Sequence, residues 1–415
     1  MNPTASTSLY NDLRSLPRAF WVLVAGTFIN RFGSFVYPFL TIFLTRRGLS
    51  LGEIGAVIAG YGGGGLLASV AGGWFADRFG RRNTIVAGTL SNALCVFALY
   101  YAHSLPELVL LTLCAGISGG FYHPASNALV ADLIPQNLRL AAYAVLRQSA
   151  NAGFAFGTAA GGFLVSHSTF WLFAGDALTT ASFGILALVL LPHGLRSTST
   201  QSRWSEAIAR IRGDGRFWAV YAAQFLCALV FAQFASSYAL EVARRGIHLG
   251  NLLPEQIYGS LIGWNGFMVL LVELPLTRLT QRYDARRAMC LGYALIGIGF
   301  AMNAWAAGLP GLFIGMTIFT LGETLALPMV SSWVAHLAPE PMRGRYIGAL
   351  STSWAGASMI GPAIGLQVYG FSPAALWFGC AGLGAVAAFI MARWGDMPSQ
   401  RGVAIQREAV LEPVE

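Results

Sequence analysis

Apolar runs of about twenty residues, separated by short clusters of arginine, proline and glycine, recur twelve times along this 415-residue chain. A helix needs roughly 20 apolar residues to cross the hydrocarbon core of a bilayer. The runs of the first half lie at about 19–44, 53–75, 83–102, 107–131, 141–165 and 169–192. Those of the second lie at about 217–241, 257–279, 288–307, 311–335, 346–369 and 373–394. With 55% hydrophobic and 11% charged residues, the chain has too little charge to cover a soluble surface, where about a quarter of residues are charged. Lipid is therefore the expected solvent. The run from Ala19 to Leu44 is longer than a signal-peptide core and no small-residue cleavage site follows it. It is expected to remain as the first span.

The net charge of +8 comes from arginine alone, since the chain has no lysine. The arginines sit in short clusters between apolar runs, which is the footprint of membrane topology and not of a nucleic-acid surface. With both termini cytoplasmic, the inner segments collect Arg14, Arg18, Arg78, Arg81, Arg82, Arg139, the linker arginines, Arg278, Arg282, Arg286, Arg287, Arg343, Arg345 and the tail. The outer side keeps Arg46, Arg47, Arg244 and Arg245. The asymmetry implies N-in and C-in. Cys95, Cys114, Cys227, Cys290 and Cys380 fall inside the apolar runs without a CxxC pair; they read as packing residues, and no metal site is expected.

The one long polar connection divides the chain into a six-helix bundle (1–192), a linker (193–216), a second six-helix bundle (217–395) and a cytoplasmic tail (396–415). Within the linker, Trp204, Ile208 and Ile211 recur at helical spacing among Arg203, Arg210 and Arg212, which predicts an amphipathic helix on the membrane surface. The bundles are repeats. An offset of 204 residues lays Pro124 on Pro328, Arg139 on Arg343, Gly157 on Gly361, Gly161 on Gly365, and Arg78-Phe79 on Arg282-Tyr283. An even number of spans separates the repeats, so they run parallel, the plan of alternating-access transporters. The fold class is an all-α membrane protein of twelve transmembrane helices in two parallel repeats.

The loop after the second run reads Gly73-Trp74-Phe75-Ala76-Asp77-Arg78-Phe79-Gly80-Arg81-Arg82. It resembles the Gly-x-x-x-Asp-Arg-x-Gly-Arg-Arg/Lys signature of the major facilitator superfamily. Gly73 is expected to let two helices approach, Gly80 to permit a tight turn, and Asp77 to accept from a neighbouring helix terminus. Gly73, Asp77, Arg78, Gly80 and Arg81 are thereby assigned to gating. The run Gly153-x-x-x-Gly157-Thr158-x-x-Gly161-Gly162 is similar to the Gly-x-x-x-Gly-Pro-x-x-Gly-Gly element of the superfamily's exporters, with Thr158 in place of proline. Gly361, Pro362 and Gly365 form the complementary element, and small residues at this spacing let helices pack backbone to backbone. Thr112 stands where the drug:proton antiporters carry a membrane arginine. Thr27-Phe28-Ile29-Asn30-Arg31-Phe32 lacks both glutamates of the peptide transporters' Glu-x-x-Glu-Arg-Phe, which speaks against peptide uptake. Gly116-Ile117-Ser118-Gly119-Gly120 and Gly62 to Gly65 lack the context of a hydrolase elbow or a phosphate loop.

A charge at the centre of a bilayer costs about 2.5–3.5 kcal/mol on insertion scales, so each one needs a reason. Arg31 and Glu323 lie near the middle of the first and tenth runs, which the resemblance places around a central cavity. Glu323 is the expected proton carrier, with Arg31 responsive to it; a fixed ion pair is the structural alternative. Tyr37, His123 and Trp264 join them as cavity candidates. Arg147 and Glu273, each about 9 Å from the cytoplasmic end, are the expected cytoplasmic gate pair, formed when that side closes. Asp176 is grouped with the proton-coupling residues, although its peripheral helix favours a structural role. The reading is a monomeric, proton-coupled exporter of small amphipathic compounds in a bacterial inner membrane, using no cofactor. A symporter importing a metabolite is the alternative; a membrane sensor or intramembrane enzyme finds no catalytic constellation. In a background free of native cysteines, an impermeant thiol reagent should label Arg46→Cys in intact cells and Arg203→Cys only after lysis. Labelling of the latter from outside overturns the topology.

Overall fold

The computed structural model describes residues 16–136, 138–192, 204–247, 251–280, 283–306, 308–339 and 342–395. The first part of the linker, including Arg203, and the tail lie outside these. The described residues form helices and no strand. In the first half, α1 (Arg18–Phe32) and α2 (Val36–Arg46) together make the first span, followed by α3 (Leu51–Phe79) and α4 (Arg81–Leu99). α5 (Leu105–Gly120) and α6 (Tyr122–Leu133) make the fourth span; α7 (Arg139–His167) and α8 (Thr169–Leu190) complete the half. The helix expected in the linker is α9 (Trp204–Gly213), which buries Ile211. In the second half, α10 (Gly215–Ala232) and α11 (Ser237–Arg244) make the seventh span. Then come α12 (Pro254–Thr280), α13 (Ala285–Ala301), α14 (Gly308–Leu337), α15 (Arg343–Phe371) and α16 (Pro373–Trp394). Eight of the twelve spans are apolar and long enough to cross a membrane on those grounds alone. The others, α4, α7, α12 and α15, include the helices that join the halves. The ends facing α9 are called the linker face, and the opposite ends the far face.

Three spans do not run as one helix, and the chemistry of each interruption is local. Pro38 has no N–H for the Ser34 carbonyl, and its ring crowds that oxygen, so the helix is interrupted one turn earlier, at Gly33–Phe35. Lipid offers no water to the donors this frees, so protein must satisfy them. The Val36 N–H donates to the buried Asp176 carboxylate of α8 at 2.9 Å. Pro124 acts more mildly on the fourth span, where Phe121 separates α5 from α6 yet keeps helical dihedrals of φ −68° and ψ −25°. The seventh span has no proline; there Gln233 donates to the Leu229 and Gly361 carbonyls, each at 3.1 Å, and accepts from Ser237 at 3.0 Å.

Glycines allow the breaks to be packed. A Cβ on Gly153 would lie 2.6 Å from the Phe28 carbonyl oxygen, and one on Gly157 would lie 2.1 Å from that of Phe32. Gly161 meets the Phe39 ring. The row therefore clasps α7 to the broken first span. In the repeat, Gly361 and Gly365 set α15 against Ala232 and Gln233 at the break of the seventh span, with Pro362 buried beside them. Equivalent arginines pin both halves at the far face. Arg47 donates to the Tyr100 and Ala102 carbonyls past the end of α4, and Arg245 to those of Asn303 and Ala306 past the end of α13. Gly157→Ala forces α7 off Phe32 and should cost about 1–3 kcal/mol, read as a lower Tm in detergent. Gly65→Ala, whose Cβ meets nothing within 4 Å, should stay within about 0.5 kcal/mol of wild type.

Candidate functional site

The halves meet along three helix pairs among the described residues: α3 with α15, α7 with α12, and α2 with α11. The far-face pieces of the broken spans thus touch across the molecule, while their linker-face pieces, α1 and α10, form no such pair. Between the halves lies a cavity of about 300 Å³ walled by Arg31, Tyr37, Asn151, Phe154, Phe231, Asn265, Glu323, Trp354 and Ser358. A second space of about 750 Å³ shares Arg31, Tyr37, Trp354 and Ser358 with it and enters the first half as far as Asn92 and Asp176. Its walls include Asn127, Gly344, Ile347 and Gly348, near the linker-face ends of their helices. The cavity therefore opens towards the linker face.

The far face is shut by polar contacts between the halves. Arg46 pairs with Glu255 of the other half, and is steadied by donating to the Val165 carbonyl of its own half at 3.2 Å. Thr41 donates to the Ala235 carbonyl at 3.0 Å, and Gln256 to the Ser166 hydroxyl at 3.0 Å. The Tyr258 hydroxyl lies 3.0 Å from the Pro38 carbonyl and 2.9 Å from that of Phe234. Inside the cavity, Arg31 Nη2 lies 2.7 Å from His123 Nε2. A guanidinium cannot accept, so this ring nitrogen does, which places the histidine proton on Nδ1. Glu323 accepts from Asn265 at 2.8 Å, and the same amide reaches Thr320 at 2.9 Å. Neither Arg31 nor Glu323 forms an ion pair among the described residues.

A family model described as Major Facilitator Superfamily matches residues 23–253 and 248–414. The chain belongs to the major facilitator superfamily. An uncharacterised transporter of that type, YqjV of Bacillus subtilis, is 29% identical over 83% of this chain and 85% of its own length. A Na(+), Li(+), K(+)/H(+) antiporter of Planococcus maritimus is 28% identical, covering 86% and 89%. The quinolone resistance protein NorA of Staphylococcus aureus is 25% identical, covering 79% and 84%. Among solved structures, a mutant of the nucleoside transporter NupG superposes with a TM-score of 0.79 at 14% identity, over 91% of this chain and all of that one. A peptide transporter in complex with sulfate gives 0.77 at 16% identity, over 91% and 94%; such likeness concerns the fold. The protein is a multi-pass membrane transporter, not an enzyme.

The superfamily loop is built differently in part from its sequence reading. Gly80 takes φ of +90° and makes the turn between α3 and α4. Gly73 meets nothing within 4 Å; it is Gly72 whose Cβ would touch Pro124, at 2.7 Å. The close approach therefore belongs to the preceding glycine. Asp77 accepts from the side chain of Arg81, the first residue of the neighbouring α4, at 2.5 Å. The buried Arg81 also holds the Ala76 carbonyl at 2.9 Å and reaches Asp132 of α6 at 3.4 Å, tying α3, α4 and α6 together. Arg78 lies over the Trp74 ring.

Of the cavity candidates, Arg31, Tyr37, His123 and Glu323 line the space. Trp264 does not. It is 36% exposed on the outside of α12 and donates to Thr317 of α14 at 3.0 Å, because its neighbour Asn265 takes the inward position. Arg147 and Glu273 do meet, at 2.6 Å. They do so while the cavity opens towards the linker face, so the pair marks the α7–α12 seam and not closure of that face. Asp176 contributes to the wall but spends its carboxylate on Val36 and Thr180. Sequence reasoning missed Asn265, Gln233 and the Arg46–Glu255 closure; the signals present were amides inside apolar runs and an acid at the start of the eighth. Removing a half-exposed ion pair costs about 1 kcal/mol, or about fivefold in the ratio of closed to open far face. Glu255→Gln should accordingly speed labelling of Leu40→Cys from the far face about fivefold in a cysteine-free background.

Proposed function

We propose that this transporter is a proton-coupled exporter of small amphipathic organic compounds, working by alternating access as a monomer in a bacterial inner membrane. The observation carrying this reading is Glu323, an acid of α14 whose one hydrogen-bonding partner among the described residues is Asn265, set in the cavity opposite Arg31. A carboxylate half-buried between apolar walls within the membrane gains from a proton or a matching cation. A proton and a substrate are two ways of meeting that need, and a site that takes one at a time exchanges them. The aromatic wall of Tyr37, Phe154, Phe231 and Trp354 suits an amphipathic body. The arginine asymmetry supports a cytoplasmic linker face, so a cavity opening there would load from the cytoplasm. Two relatives, named as a cation/H(+) antiporter and a quinolone resistance protein, support exchange and export.

Proteoliposomes distinguish the coupling modes. An antiporter concentrates a fluorescent amphipathic dye into an acidic lumen, whereas a symporter does so into an alkaline one. Wild type should accumulate dye only with the acidic lumen. Glu323→Gln should reduce that accumulation to the leak level, while downhill dye exchange stays above leak at saturating dye and loses its pH dependence. Uphill accumulation by Glu323→Gln with unchanged pH dependence removes Glu323 as the coupling site.

A further inference from the structure

We infer that the substrate carries an acidic and a basic group at opposite ends of an apolar frame, its anion bound by Arg31 and its cation by Glu323. This rests on the reading that the cavity between the halves is the transport site. The cavity presents one cation and one acid, Arg31 on α1 and Glu323 on α14, in opposite halves of the molecule. Neither has an ion-pair partner among the described residues. The contact Arg31 does make, with His123, leaves its charge unbalanced, because the ring nitrogen accepts and the imidazole is neutral.

Asp176 lines the neighbouring space, but its carboxylate is engaged by the Val36 N–H and Thr180. Glu323 meets a neutral amide. A guanidinium offers five donors in a fixed fork suited to a carboxylate, and the one contact with His123 uses a single nitrogen. A ligand with an anion alone would leave the proton on Glu323 and exchange for nothing, and one with a cation alone would leave Arg31 unmatched. A dipolar ligand meets both, and its apolar frame lies along Phe154, Phe231 and Trp354. The ammonium end also accounts for exchange, since a cation on Glu323 displaces the proton that the empty carrier holds there.

The test is equilibrium binding to purified full-length protein in detergent, with no gradient. The probes are a biphenyl with an aminomethyl group at one end and a carboxylate at the other, its methyl ester, its N-acetyl derivative, and the doubly blocked compound. The dipolar probe should bind about tenfold or more tighter than either singly blocked one, as expected for one hydrogen bond to a charged group. Arg31→Gln should abolish the preference for acid over ester and keep that for amine over amide; Glu323→Gln should do the reverse. Arg31→Lys, which keeps the charge, should retain part of the acid preference. Equal binding of the four probes to wild type, absence included, overturns the inference whether or not the variants fold. So does an Arg31→Gln variant that weakens acid and ester alike. Because no gradient is applied, probe selectivity and proton-driven accumulation fail independently.

Discussion

Every main-chain donor and acceptor that reaches the hydrocarbon has to find its partner within the protein. Unbroken helices meet this rule without help, and most of the spans obey it that way. The first and seventh spans break it in mid-membrane, and the surroundings of both breaks are organised to repair it. A carboxylate from α8 is committed to Val36 in one half, and the amide of Gln233 bridges Leu229 and Gly361 in the other. The glycine rows of α7 and α15 serve the same end, since they bring a neighbouring helix close enough to cover the exposed turn. What results is a pair of spans whose far-face pieces touch across the halves while their linker-face pieces stand apart. The cavity exists because of that difference.

The repeat is stricter in its packing than in its chemistry. Arg47 and Arg245 do the same work on the carbonyls at the far-face ends of α4 and α13. Gly157 and Gly361 occupy matching positions at the two breaks. The breaks themselves arise differently: Pro38 forces the first, whereas the seventh has no proline. Pro124 follows a one-residue interruption of the fourth span at Phe121, yet its counterpart Pro328 sits inside an unbroken α14. The polar residues diverge most, with Arg31 in one half and Glu323 in the other. Backbone packing constrains both copies alike, and the lining of the cavity has been free to become asymmetric.

The helices and their pairing into halves were legible because lipid imposes length and apolarity on every span, and the Arg clusters mark the ends. Positions along the chain also sufficed to anticipate that Arg147 and Glu273 meet. Direction around a helix was harder to read. Trp264 and Asn265 are adjacent, and nothing local says that the amide turns inward and the indole outward; that is decided by Thr320 and Glu323 on a helix more than fifty residues away. Gly72 and Gly73 pose the same problem, one residue meeting Pro124 and the next meeting nothing. The far-face closure was hidden for a different reason. Arg46 and Glu255 sit at span ends 209 residues apart, where charged side chains are ordinary, and only the folded halves bring them together.

The hydroxyl of Tyr258 stands between two carbonyls, Pro38 in the first half and Phe234 in the second. It has a single hydrogen, so it can donate to one of them at a time. When the halves separate at the far face, the hydrogen can turn wholly to Phe234, its own side of the divide. No donor is left stranded by the parting, and the oxygen relinquished on Pro38 opens onto incoming water. A seal of this kind holds without being costly to undo, which is what a carrier that must part and rejoin its halves in every cycle requires.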